Sequence, residues 1–262
     1  QKYFNYSTGF TMTNNNFNKL FKMNRRNEDQ LLNQKHLDLA ASIQKVIEII
    51  VVKIAKKSFD LTKCNNLCLA GGVALNCVAN SKILENRIFK NIWIQPASGD
   101  AGGAIGAALY GYYNNFNKKR VIKKTDSMNG SFLGPKFSNN EIKKVLDKLK
   151  VKYKFFDNDL LFNNTIKLII QGKTIGWFHD RMEFGPRALG HRSILGDPRS
   201  KKMQKIMNLK IKFRESFRPF APSILENDSK EWFNLKIDSP YMLFVAQLNQ
   251  NKRINIKRKQ KN

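Results

Sequence analysis

Between Asn66 and Tyr113 the chain twice runs from a short apolar stretch into glycines and on into a helix-forming segment. Asn66–Gly72 reads as a strand that breaks at a glycine pair, and the spacing predicts a helix over Val73–Glu85. Asn91–Gln95 reads as a second strand, Pro96–Gly103 as a glycine-rich turn and Ala104–Tyr113 as a small-residue helix. Strand, glycine turn and helix in repetition are the rhythm of an α/β fold.

The flanking regions carry weaker signals. Residues 1–34 are polar, Asn-rich and weakly periodic, and read as a loop or a poorly supported edge. Apolar residues from Leu37 to Ile54 recur at helical spacing, which predicts a long amphipathic helix over 35–59, with His36 an exposed or capping residue at its start. Asn114–Gly130 has no periodicity and reads as a linker between two domains, 1–120 and 131–250. Beyond it a helix over Asn139–Lys150 is expected with Ser138 or Asn139 as cap. A strand at Val151–Phe156, a helix at Asp159–Gln171 and a strand at Thr174–Phe178 follow.

Composition narrows the class. With 262 residues, 42% of them hydrophobic, the chain can bury a core in one large domain or two ordinary ones. No long uncharged apolar run exists; the nearest, Ile43–Ala55, carries Lys45, Glu48 and Lys53, so no membrane is expected. The charge of +27 would suit a polyanion, but the lysines are spread through an Asn- and Ile-rich chain, so nucleic acid is not the expected partner. The basic tail, 251–262, is expected to be disordered. Cys64, Cys68 and Cys77 lack the fourth ligand of a zinc site and read as free thiols packed in a core, which fits a reducing cytoplasm.

Three motifs could carry chemistry. In LCLAGGVALN, Gly71 and Gly72 either let backbone N–H groups approach an anion or merely make a tight turn. In PASGDAGGAIGAAL, Gly99, Gly102 and Gly103 surround Asp100, a carboxylate that reads equally as a helix N-cap or as a metal ligand or nucleotide-side acid. The small residues after it suggest close helix packing. In the third, GWFHDRMEFGPRALGHRSILGDPRS with FRESFRPFAPS, Arg181, Arg187, Arg192, Arg199, Arg214 and Arg218 crowd a chain that otherwise prefers Lys. Planar guanidiniums suit phosphate oxygens; the alternative is a set of salt bridges with Glu183, Asp197 and Glu215. His179 and His191 flank this loop and rank below the arginines as acid–base or phosphate-binding groups. Neither a P-loop nor a Ser/His/Asp constellation is present.

At AGGVALN, SGDAGGAIGAAL, RMEFGPRALGHRSIL and FRESFRPFAP the chain resembles the O-carbamoyltransferases of nodulation-factor and antibiotic tailoring, over roughly Leu37 to Val245. The resemblance implies the carboxy-terminal part of an actin-like, sugar-kinase-like (ribonuclease H-like) domain followed by an α+β YrdC-like domain. It implies transfer of a carbamoyl group from carbamoyl phosphate, through an ATP-derived carbamoyl-adenylate, to a small-molecule hydroxyl. It makes Arg187 and Arg192 catalytic, and makes Arg181, Arg214, Arg218, Gly71, Gly72, Asn76, Gly102 and Gly103 binding residues. It also makes Asp100 one ligand of a divalent metal, iron in such enzymes, whose His ligands do not stand in this chain. On that reading the chain is a fragment, with a separately encoded amino-terminal half as a possible partner. An RNA-binding YrdC-related module and an inactive partner subunit are the alternatives, and the arginine-rich second half argues against a sugar kinase.

Overall fold

A computed structural model describes residues 2–5, 12–27, 29–123 and 125–254. The chain divides into two units, residues 1–47 and 48–262.

In the first unit the region expected as a loop contains a short helix, α1 (Asn15–Phe21). Its cause is local: the Asn14 side chain accepts from Asn16 N at 3.0 Å, and Lys22 closes the helix in the left-handed region. Phe17 meets the rings of Tyr3 and Phe4 edge-on at 5.6 and 5.0 Å. Too few apolar residues recur there to show a helical period. The long helix α2 (Gln34–Thr62) begins in this unit, where His36 and Asn33 exchange two hydrogen bonds, a capping role as expected.

In the second unit Val51, Val52, Ala55 and Phe59 of α2 pack with Leu67, Leu69, Ile83, Phe89 and Ile92. Ile83 is fully buried, which stabilises by about 1.5–3 kcal/mol. The two expected strands are β1 (Asn66–Leu69) and β2 (Asn91–Ile94), parallel, with Leu69 opposite Ile94. The helix expected over Val73–Glu85 is divided. Gly72–Leu75 is a 3₁₀ turn, and α3 (Cys77–Glu85) starts afresh at Asn76, whose side chain accepts from Ala79 N at 3.1 Å. After β2 comes α4 (Asp100–Tyr110), with Gly99 and not Asp100 as its N-cap. The close packing expected of its small residues is not found, because no residue of α4 is buried.

The stretch expected as a linker ends inside the core. Met128 packs with Ala74, Ile94, Tyr241 and Leu243, and the Tyr241 hydroxyl donates to Asp126 Oδ2 at 2.5 Å. Residues 241–245 are laced onto α3: Asn80 Nδ2 donates to the Leu243 carbonyl, and Val245 N donates to Ser81 Oγ. Helix α5 (Asn139–Lys148) has the expected Ser138 cap, closed into a capping box by Glu141. Val151–Phe156 forms no strand; among the described residues it has no strand partner, and Phe155 is 76% exposed. Helix α6 (Asn158–Ile170) leads to β3 (Ile175–Phe178), which pairs antiparallel with β4 (Arg192–Leu195). Two short helices follow, α7 (Met203–Ile206) and α8 (Ser229–Trp232).

The α/β expectation therefore holds, in the form of two two-stranded sheets among the described residues. Cys64 and Cys68 are free and exposed, contrary to the core packing expected of them. Among the described residues no helix is long and apolar enough to cross a membrane. The tail begins with a 3₁₀ turn at Gln250–Lys252; residues 255–262 lie outside the described residues.

Candidate functional site

The two glycine turns lie against each other. Gly71 sits at φ 93 and donates its N–H to the Ser98 carbonyl at 2.8 Å, which joins the end of β1 to the turn before α4. That N–H is therefore engaged, while Gly72 and Gly103 have open space where a side chain would stand. Gly102 is required sterically, because a Cβ there would collide with the Ala97 carbonyl oxygen. Asn76 caps α3, and Asp100 is exposed in the first turn of α4. Among the described residues no three His, Cys, Asp or Glu cluster to hold a metal. Asp100 alone does not supply the several oxygen or nitrogen donors a divalent cation needs, so the described residues do not by themselves make a metal centre.

The arginine loop runs from β3 to β4 and is built around Glu183. This carboxylate is 3% exposed; Oε1 accepts from Leu189 N at 2.7 Å, His191 N at 2.9 Å and Arg192 N at 3.2 Å. Arg192 Nε donates to Oε2 at 2.8 Å and Arg192 Nη2 to the Glu183 carbonyl at 2.8 Å. Burial alone would push the Glu183 carboxyl up, but the Arg192 guanidinium and the backbone N–H groups outweigh it and hold it at about 2. Gly185 and Gly190, at φ 130 and 107, provide the bends.

The loop reaches the glycine turns. A Cβ on Gly185 would stand 3.3 Å from Ala97 Cα, and Arg187 Nη2 donates to the Leu75 carbonyl at 2.9 Å. Arg187 Nε is buried without a hydrogen-bond partner. His191 takes a supporting part: its ring stacks on Phe132 with centroids 3.6 Å apart, and its Nδ1 bonds the Arg181 carbonyl at 2.7 Å. A carbonyl only accepts, so Nδ1 carries the proton. His179 is exposed and lies edge-on to His191, with ring centroids 5.2 Å apart.

The six arginines divide. Arg192–Glu183, Arg199–Asp197 and Arg218–Glu215 are ion pairs, the arrangement the salt-bridge alternative described. Arg199 grips Asp197 with two nitrogens and holds its carboxyl at about 2, but its own side chain is 72% exposed. Arg181 donates to the Gly134 carbonyl, Arg187 to Leu75, and Arg214 to Asn208 Oδ1 while lying over the Phe220 ring at 4.9 Å. The structure thus brings Arg187 to the first two motifs and anchors Arg214 and Arg218 on a separate centre. That centre is Asn208, 0% exposed, whose Nδ2 donates to the Ser216 and Arg218 carbonyls. Sequence reasoning missed Glu183 and Asn208 as organisers. The signal for Glu183 was present, since it is the lone acid between Arg181 and Asp197.

Residues 1–109 match the family profile described as Carbamoyltransferase N-terminus, and residues 166–260 the one described as Carbamoyltransferase C-terminus. The chain belongs to the carbamoyltransferase family. It is 51% identical over 254 residues to an uncharacterized protein of Synechocystis, sll1178, covering 96% of this chain and 41% of that protein. It is 38% identical over 224 residues to nodulation protein NolNO of Sinorhizobium fredii, covering 84% and 32%, respectively. With nodulation protein NolO of Bradyrhizobium diazoefficiens the identity is 37% over 223 residues, covering 84% and 40%. The chain thus spans about a third to two fifths of the length of these relatives.

Proposed function

We propose that this carbamoyltransferase-family chain binds carbamoyl phosphate and ATP and, consuming water and releasing phosphate and pyrophosphate, forms a carbamoyl-adenylate from which the carbamoyl group passes to a small-molecule hydroxyl as AMP leaves. The observation that carries the reading is Arg187. It bears no carboxylate partner among the described residues, its Nε is buried and unsatisfied, and it stands where the arginine loop meets the glycine turns. The Arg187 side chain is half-buried, and a shielded, unpartnered Nε without a counter-charge carries a desolvation cost that an oxyanion ligand would offset. Arg192 is the second catalytic group of this reading, and Arg181, together with Arg214 and Arg218 from the Asn208 centre, is assigned to phosphate oxygens. Gly71, Gly72, Asn76, Gly102 and Gly103 form the nucleotide side. Preorganised donors of this kind are each worth about 10²–10³ in rate when charge develops on them.

In this reading 1–120 is part of an actin-like transfer domain and 131–250 part of a YrdC-like activation domain. Asp100 is a ligand position for a divalent metal, iron in type, that residues outside this chain would complete. The test is ATP–pyrophosphate exchange in the presence of carbamoyl phosphate, comparing the chain with Arg187→Lys and Arg192→Lys. Robust exchange that neither substitution alters would end the assignment.

A second observation favours a role beside another polypeptide. Helix α4 is strongly apolar yet buries no residue, with Leu109 and Tyr110 49% and 65% exposed, and it flanks a parallel sheet of two strands. Parallel sheets are ordinarily covered on both faces. The remaining length of the relatives, supplied on the same or a separate chain, is the natural cover, and it would carry the acceptor site.

A further inference from the structure

The loop 184–191 has neither a helix nor a ladder to shape it. Backbone without a repeating hydrogen-bond pattern takes its form from whatever other groups satisfy it. Here one group does most of this: the Glu183 carboxylate receives the amides of Leu189, His191 and Arg192, together with Arg192 Nε. The Glu183 side chain is fully buried, and burying a carboxylate is tolerable only when it is paired and hydrogen-bonded as completely as this. Two of the three Arg192 guanidinium nitrogens serve Glu183. The far side of the loop is tied by Phe184 N to the Ser131 carbonyl at 2.6 Å. Arg187 lies between these two attachments, and its side chain leaves the loop for Leu75.

We infer that Glu183 is the positioning residue of the site: by folding the loop from within, its carboxylate fixes where the Arg187 guanidinium stands. The inference rests on the carbamoyl phosphate reading for what Arg187 grips, and on the hydrogen bonds alone for how the loop is held. Glu183 itself touches no substrate. Its influence passes through the Leu189, His191 and Arg192 amides as well as through the Arg192 guanidinium, so it sets the shape of the loop and not merely its charge.

The test is made on the full chain. Glu183→Gln keeps the volume but turns an amide N–H₂ toward donors. The Leu189 and His191 amides should then exchange with solvent about tenfold faster or more, since each loses a charge-assisted bond. Carbamoyl phosphate should bind about as weakly as it does to Arg187→Ala. The double variant should be weaker than either single one by less than about twofold, because both changes remove the same positioned guanidinium. Should the Gln variant not fold, Glu183→Asp, which keeps the charge and shortens the reach, is read in the same way. Unchanged exchange at Leu189 and His191, or independent and additive effects on binding, would overturn the inference. A wild-type chain that takes up no carbamoyl phosphate would end the functional reading, and the exchange measurement would then decide on Glu183 alone. If the wild type binds and Glu183→Gln binds as tightly, only the inference fails.

Discussion

Arg187 Nη2 and the Leu75 carbonyl oxygen are 2.9 Å apart, across 112 residues of sequence. That bond takes one N–H of a five-donor fork and Nε is buried, so in the carbamoyl phosphate reading the ligand meets the remaining Nη donors. Lysine keeps the charge but not the planar fork, so it cannot hold Leu75 and grip an oxyanion in the same geometry. Arg187→Lys should therefore weaken carbamoyl phosphate binding by roughly 10- to 100-fold, the equivalent of one hydrogen bond to a charged group. Calorimetric titration reads this directly, and wild-type affinity in the variant would remove Arg187 from the site.

Neighbouring glycines in α4 should respond in opposite directions. A Cβ at Gly102 meets the Ala97 carbonyl oxygen, whereas one at Gly103 meets nothing within 4 Å. Gly102→Ala forces the turn before α4 apart and should destabilise by about 1–3 kcal/mol. Gly103→Ala lies in an exposed helix interior and should stabilise by about 0.5–1 kcal/mol. Urea unfolding of the two variants beside the wild type decides it. Equal effects would mean that Gly102 does not hold the turn as closely as it stands here.

The glycines also mark how far the fold is legible in the sequence. Their pattern announces both turns and the α/β rhythm, because a strand that ends in glycine is a local signal. The cause at each position is not local: Gly102 answers to Ala97, Gly185 also to Ala97, and Gly71 donates to Ser98. The arginine cluster is legible as a departure from the chain's preference for lysine. Its division into paired and unpaired groups is not, since Glu183 and Glu215 look equivalent in sequence and only Glu183 is buried. The helix expected from Val73 starts later than its apolar pattern suggests, because Asn76 competes for the backbone as a cap. The strand expected at Val151–Phe156 fails for want of a partner, which composition cannot reveal.

Tyr241 gives the chain an alkaline weakness. Burial, and then the hydrogen bond to Asp126, push its hydroxyl from 10.0 up to about 12. The unfolded chain therefore loses this proton first as pH rises. The stability that Tyr241 contributes is complete below pH 10 and is lost between 10 and about 12. The loss should be on the order of 2 kcal/mol. Tyr241→Phe should cost about 1 kcal/mol at neutral pH, from the lost bond, and should show a shallower decline across that window. Thermal melts of both proteins at a series of pH values test this; parallel curves would place the alkaline limb elsewhere.

Asn208 and Gln204 both hold the segment that carries Arg214 and Arg218, yet they should not matter equally. Gln204 Nε2 donates to the Phe217 and Arg218 carbonyls from an exposed position, where water can replace it. Asn208 is 0% exposed and accepts from Arg214 Nε while donating to the Ser216 and Arg218 carbonyls. Its removal takes a partner from the Arg214 guanidinium and from the Ser216 and Arg218 carbonyls at once, and among the described residues only the Arg218 carbonyl keeps a second donor, Gln204. Asn208→Ala should thus cost about 1–3 kcal/mol, and Gln204→Ala no more than about 0.5 kcal/mol. Only the first should raise proteolytic cleavage between Phe213 and Phe220, because only there does local opening become easier. If the two variants are cut at the same rate, burial is not what holds this segment, and the surface bonds of Gln204 carry as much of it as the core.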